Sequence, residues 1–296
     1  MPRIEGLAYR PASRGGSFRA RAKPVHIGAM DLYDTIGRGY RWRRRQDLRI
    51  AAHIFRALGP AASVVNVGAG AGSYEPRDRE LVAVEPSLVM IRQREPGAAP
   101  AVRASATDLP FCDETFDASL AVLTIHHWPD LGRGLGEIRR AARRNVVILT
   151  CDPSVAGFWL TDYFPEILEI DRRILPSVSE LRRHLGRIEV FDVPIPHDCT
   201  DGFLGAYWRR PAAYLSADVR SAISTFSRLT NPERGLAALR RDLASGDWHR
   251  RYGHLLDRPA LDLGYRLVVA RPEALARSSR AAPGYPRRPW CSKSPS

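Results

Sequence analysis

Three glycines spaced two apart, Gly68, Gly70 and Gly72, follow the apolar run Val64-Val65-Asn66-Val67. Glu85 closes a second apolar run, Leu81-Val82-Ala83-Val84. Glycine lets a chain turn tightly at a strand end and brings backbone N–H groups close to a ligand. A carboxylate at the tip of the next strand can accept both hydroxyls of a ribose. The pair points to a nucleoside-bearing cofactor. The spacing departs from the dinucleotide fingerprint G-x-G-x-x-G, whose third small residue falls at Ser73 here while the third glycine arrives one residue early. Two adjacent histidines, His126 and His127, stand just past another apolar run, and imidazole suits proton transfer at neutral pH. His197 is a third base candidate, with Asp198 or Asp201 able to orient it.

These groups need a scaffold that brings strand ends together. Strand-like runs over 63–68, 81–85, 100–104, 117–125 and 145–150 alternate with helical segments, which builds a parallel sheet covered on both faces. A short helix is expected over 27–40. A second, over 46–58, carries Ile50, Ile54, Phe55 and Leu58 on one face and stops at Gly59-Pro60. Past residue 150 the spacing predicts a helix over 158–175, then another that begins at the capping box Ser177–Glu180 and ends at Gly186. Sixth and seventh strands are expected over 188–195 and 263–270. The stretch between them carries helices over 211–228 and 232–245, with Pro232 after Asn231 as a start signal.

A further block strengthens the reading: Ala104-Ser105-Ala106-Thr107-Asp108-Leu109-Pro110-Phe111, then Asp113-Glu114-Thr115-Phe116-Asp117, an apolar strand to Ile125, and His126-His127-Trp128-Pro129-Asp130. With these residues and the glycine loop, the chain resembles the class I S-adenosylmethionine-dependent methyltransferases, specifically the type 11 group of bacterial small-molecule enzymes, over positions 30–150. The resemblance implies an α/β, Rossmann-like, seven-stranded, mostly parallel sheet with helices on both faces and the seventh strand antiparallel between the fifth and sixth. Here a helical insertion replaces the usual short turn between the last two strands.

The cofactor implied is S-adenosylmethionine. Gly68, Gly70 and Gly72 would lie near its methionine and sugar, Glu85 would hold the ribose, and Pro86 and Met90 would pack near the adenine. Leu123 belongs to the same pocket. Ser105 and Ala106 align with the family's Asp-Ala pair beside the adenine amino group, and Asn66 stands where the family has Asp or Glu. Ser105 and Asn66 are therefore departures. Tyr33 and Tyr40 fit a pattern of tyrosines that cover the cofactor, and Arg45 would meet its carboxylate. His127, His126 or His197 is expected to act as base, although the family also keeps histidine here to shape the pocket. Asp152, Trp159, Tyr163 and Trp208 are expected on the acceptor side, where core packing explains them equally well. Metal-dependent relatives carry Glu-x-x-Glu-His where this chain has Leu123-Thr124-Ile125-His126-His127, so no metal is expected.

The chain has 296 residues, 44% of them hydrophobic, enough for a full core. No apolar run approaches bilayer-crossing length, the N-terminus lacks the apolar core of a secretory signal, and the four cysteines show no C-x-x-C or zinc spacing. A reducing cytoplasm is the expected location. The net charge of +13 sits at the ends: residues 1–49 hold twelve Lys/Arg against four Asp/Glu, and residues 271–296 hold six against one. The expected organisation is a flexible basic segment over 1–25, a methyltransferase domain over 26–270 with acceptor-side elements at 152–187 and 197–262, and a disordered basic tail over 271–296. A small-molecule acceptor is the expected partner, with nucleic acid and membrane disfavoured and a homodimer allowed. Two rival readings stay open. One is RNA methylation through Arg41, Arg43, Arg44 and Arg45; the other is a non-catalytic protein that kept the fold.

Overall fold

The computed structural model describes residues 40–155 and 158–271. The expected tails and Tyr33 lie outside them. After α1 (Tyr40–Arg43) and α2 (Leu48–Leu58) come β1 (Ser63–Val67), β2 (Glu80–Val84), α3 (Leu88–Ile91), β3 (Ala101–Val102) and β4 (Phe116–Val122). Then follow α4 (Leu131–Ala141), β5 (Ala142–Cys151), α5 (Leu160–Tyr163), α6 (Glu166–Ile174), α7 (Val178–Leu185), β6 (Ile188–Asp192) and β7 (Ile195–Pro196). The chain closes through α8 (Ala217–Ser221), α9 (Pro232–Ser245), α10 (Asp247–Tyr252), β8 (Ala260–Leu261) and β9 (Tyr265–Ala270).

Seven strands form one sheet in the order β3-β2-β1-β4-β5-β9-β6. The first five run parallel, and β9 is inserted antiparallel between β5 and β6. This is the Rossmann-like order expected, and strands buried on both faces read as continuous apolar runs for that reason. Along β1, Val64 joins the core on one face, beside Ile50, Ile54 and Leu58 of α2. Val65 and Val67 join the other, beside Leu135 and Ile138 of α4 and Leu181 of α7. Each fully buried Val, Leu or Ile contributes about 1.5–3 kcal/mol relative to exposure.

The helices that set the strand ends are capped from sequence. Asp47 accepts the Arg49 N–H at the start of α2, and Gly59 ends that helix at φ 57°. Ser177 accepts the Glu180 N–H at the start of α7, as the capping box predicts.

Beyond β5 the segment before β6 and the insertion after it build a separate core. Trp159, Tyr163, Phe164, Tyr214, Phe226 and Trp248 pack together, Trp159 meeting Trp248 edge-to-face at 5.3 Å. Two expected helices are broken here. The 158–175 helix divides into α5 and α6 because Phe164 precedes Pro165, whose ring drives it out of the helical region to φ −133°, ψ 70°. The 211–228 helix becomes a 3₁₀ turn over Pro211–Leu215, then α8, then a second 3₁₀ turn over Phe226–Arg228, with extended backbone at Ser216 ending the first. Pro232 starts α9 as expected. No helix among the described residues is long and apolar enough to cross a membrane.

Candidate cofactor and acceptor site

The ends of β1, β2, β3 and β4 open onto one cleft of about 1100 Å³, its solvent mouth included. Open α/β sheets bind ligands at this edge. Gly68, Gly70 and Gly72 adopt φ of 72°, 54° and 95°, all in the left-handed region. At Gly68 glycine is required twice over, because a Cβ there would stand 2.0 Å from Thr124 Oγ1. Gly68 and Gly70 line the cleft; Gly72 does not, and its Cβ position faces Arg94 and Glu75 behind the loop.

Glu85 is 6% exposed and is fixed at both oxygens. The Gly70 N–H donates to Oε2 at 2.8 Å and the Ser87 N–H to Oε1 at 2.9 Å. A carboxylate offers two acceptor oxygens with two lone pairs each, the kind of group that takes ribose hydroxyls. Glu85 therefore ties the glycine loop to the tip of β2 as well as lining the cleft.

Asn66 is also in the wall. Its Nδ2 donates to Glu75 Oε1 at 3.1 Å, and Glu75 pairs with Arg94 at 2.6 Å. A carboxylate only accepts, so the amide orientation is fixed by its neighbour. The amide oxygen is left buried with no partner. An unmet acceptor in the wall of a cleft fits a ligand that brings a donor, such as the ammonium of S-adenosylmethionine.

Pro86, Met90, Ser105, Ala106 and Leu123 line the cleft. The Ser105 hydroxyl lies 2.9 Å from the Thr107 hydroxyl and accepts the Thr107 N–H, so this departure from Asp is spent on its own turn. Leu123 and Tyr74 hold positive φ, 50° and 61°, which marks strain concentrated at the cleft. Of the expected N-terminal residues, Tyr40 is described only as the first residue of α1, and Arg45 is exposed outside the lining. Arg44, and not Arg45, lines the cleft. Neighbours in extended chain point to opposite sides, and the side that faces the cleft is fixed by a bridge between Arg44 and Asp201.

His127 lines the cleft just past β4, and its N–H donates to the Thr124 carbonyl at 2.8 Å. The His126 ring packs on it with centroids 3.9 Å apart. Burial, then the charges of Arg228 and Arg44, push His126 down to about 4. Burial, His126 and the same two arginines hold His127 well below the usual imidazole range. Both rings are thus neutral at pH 7. His126 is absent from the lining, and its Nδ1 is buried without a partner.

The other expected residues are placed elsewhere. His197 sits in the small β7–β8 ladder, its N–H donating to the Pro259 carbonyl. The two acids foreseen as its orienters pair with arginines instead, Asp198 with Arg49 and Asp201 with Arg44. Trp159 donates its indole N–H to the Trp208 carbonyl at 2.6 Å, and Trp208 donates its own to the Ile195 carbonyl at 2.9 Å. Tyr163 donates to Asp242, and Asp152 accepts the Ser154 N–H in the turn after β5. None of these four lines the cleft. Residues that do line it and were not foreseen include Arg44, Tyr74, Thr124 and Trp128. Tyr74 directly follows the glycine loop and Trp128 follows His127, so proximity to the motifs was the available signal.

A family model described as Methyltransferase domain matches residues 65–150. A crystallised protein of Anabaena variabilis ATCC 29413, assigned as a methyltransferase from an antibiotic biosynthesis pathway, is 33% identical and superposes with a TM-score of 0.72 over 77% of this chain and 99% of that one. The chain belongs to the class I S-adenosylmethionine-dependent methyltransferases. S-adenosylmethionine is the cofactor of this methyltransferase. The Haemonchus contortus phosphoethanolamine N-methyltransferase 2, solved with phosphomonomethylethanolamine and S-adenosylhomocysteine, shares the fold at 15% identity and a TM-score of 0.51, over 84% of this chain and 61% of that one. A rice chloroplastic 2-methyl-6-phytyl-1,4-hydroquinone methyltransferase is 31% identical over 114 residues, 35% of this chain and 33% of that enzyme. The match thus spans a third of the rice enzyme's length.

Proposed function

We propose that this methyltransferase methylates an oxygen, nitrogen or carbon of a small-molecule acceptor in specialised metabolism, acting in the cytoplasm, alone or as a homodimer. The observation that carries the reading is one cleft with a doubly held Glu85 on one strand end and a neutral His127 on another. The Anabaena relative, similar over nearly its whole length and assigned to antibiotic biosynthesis, supports an acceptor of that kind.

Bound S-adenosylmethionine supplies an electrophilic methyl group on a sulfonium. The chain's own work is to hold the acceptor in line with that methyl and to receive a proton where the acceptor must lose one. Gly68, Gly70 and Glu85 hold the nucleoside, and Asn66 and Arg44 take the amino-acid end. His127, a neutral imidazole at the cleft, receives the proton. The segments over 152–187 and 197–262 are the parts of the chain assigned in this reading to meet the acceptor.

RNA methylation draws less support. Three of the four arginines it would use pair within the protein, Arg41 with Glu95, Arg43 with Asp218 and Arg44 with Asp201.

The test is to incubate the purified protein with S-adenosylmethionine and a panel of hydroxylated aromatics and amines, and to read products by the mass of one added methyl. On the best acceptor, His127→Gln lowers kcat about 10²–10⁴-fold while S-adenosylhomocysteine affinity stays within about twofold. Unchanged kcat removes His127 as the base.

A further inference from the structure

Arg44 precedes α2, and Asp201 lies inside the insertion, yet the two meet in an isolated antiparallel bridge. Arg44 Nε donates to Asp201 Oδ1 at 2.6 Å, and Nη2 reaches Oδ2 at 3.5 Å. Asp201 is 1% exposed, and its second oxygen accepts the Tyr74 hydroxyl at 2.9 Å. Tyr74 is itself buried and stands at the end of the glycine loop. Arg44 and Tyr74 line the cleft, whereas Asp201 lies behind them.

The same two segments are zipped together at three more points. Asp47 accepts the Thr200 N–H at 3.1 Å, the Thr200 hydroxyl donates to the Gln46 carbonyl at 3.1 Å, and Arg49 donates to Asp198 at 2.6 Å. Gly202 is what allows the approach, since a Cβ there would stand 2.4 Å from the Arg43 carbonyl oxygen.

A buried carboxylate held by a hydroxyl on one side fixes the guanidinium on the other, because planar charge-assisted pairs are directional. The methionine carboxylate is the anionic group of S-adenosylmethionine, and Arg44, ion-paired with Asp201, presents its guanidinium at the cleft wall. We infer that Asp201 and Tyr74 are positioning residues for the carboxylate end of the cofactor, holding the Arg44 guanidinium at the cleft. A residue of the insertion thereby completes the cofactor site, and recognition of the methionine tail depends on the insertion being docked. The inference rests on the reading of the cleft as an S-adenosylmethionine site.

The test compares two ligands by calorimetry: S-adenosylhomocysteine, and its decarboxylated analogue, which keeps the nucleoside, thioether and amine. Asp201→Asn weakens S-adenosylhomocysteine about tenfold and the analogue less than about twofold. Tyr74→Phe keeps the ring and its packing, and weakens S-adenosylhomocysteine about threefold with the same selectivity. A merely structural role would lower both ligands together. Parallel loss for the two ligands, or no loss in either variant, overturns the inference while leaving the cofactor reading intact. Wild-type protein that binds neither ligand overturns that reading and the inference with it.

Discussion

Asp47 shows how much a single side chain does in this fold. It caps α2, accepts the Arg49 guanidinium, and accepts the Thr200 N–H from the insertion. Burial alone would raise its pKa, but the hydrogen bonds from Arg49 and Thr200 outweigh burial and hold it at about 2, below the ordinary 3.8. The folded pKa is depressed, so its contribution is fully present above the unfolded value and is lost as pH falls through the folded one. That is about 2 kcal/mol between pH 4 and pH 2. Denaturant unfolding at stepped pH should show wild-type stability falling more steeply than that of Asp47→Asn across this window; equal slopes would remove Asp47 as a source of acid sensitivity. At this scale the sequence is readable where a constraint is local. Gly68 and Glu85 follow from the turn and the strand tip. The choice of Arg44 over Arg45 does not, because it is made by Asp201, 157 positions away. His197 failed for a related reason: its two neighbouring acids are taken by arginines from another segment.

Among elements, the strands were legible because their burial on both faces leaves an uninterrupted apolar run, and β1, β2, β4 and β9 fall where those runs are. The insertion was legible only in part. Its 3₁₀ turns are too short to show a period, and the aromatics Trp159 and Tyr163 pack in a separate core while Trp208 packs in the sheet core, so all three carry the same composition as a binding wall. Stability should follow the same division. Leu120 is fully buried at the centre of β4, and Leu120→Ala should cost about 2–5 kcal/mol in urea unfolding. Phe191 on the edge strand β6 is 47% exposed, and Phe191→Ser should change stability by less than about 0.5 kcal/mol. Comparable losses at the two positions would contradict the assignment of the sheet centre as the core.

For the whole molecule, the charge distribution separates the ends from the catalytic body. The surplus of +13 lies in residues 1–49 and 271–296. In the first of these, Arg41, Arg43 and Arg44 are bound to acids of the body, and Arg44 lines the cleft. Deleting residues 1–25 and 271–296 should leave small-molecule turnover within about threefold of the full chain, because counterion-releasing contacts to a polyanion have no part in it. Turnover that collapses on deletion and appears on RNA with the full chain would reverse that reading. The same scale explains why the family was recognisable from sequence while the acceptor was not. The glycine loop, Glu85 and His127 sit at strand ends within positions 65–150, whereas the aromatic core beyond β5 is assembled from segments far apart in the chain.

The most direct measurement is isothermal titration of wild-type protein and Glu85→Ala with S-adenosylhomocysteine, with NAD as the comparison ligand. The account predicts binding of S-adenosylhomocysteine and none of NAD. It also predicts a loss of about 10–100-fold in Glu85→Ala, since a charge-assisted hydrogen bond is worth about 1.5–3 kcal/mol. Equal binding of NAD, or an affinity for S-adenosylhomocysteine that Glu85→Ala leaves unchanged, would contradict it.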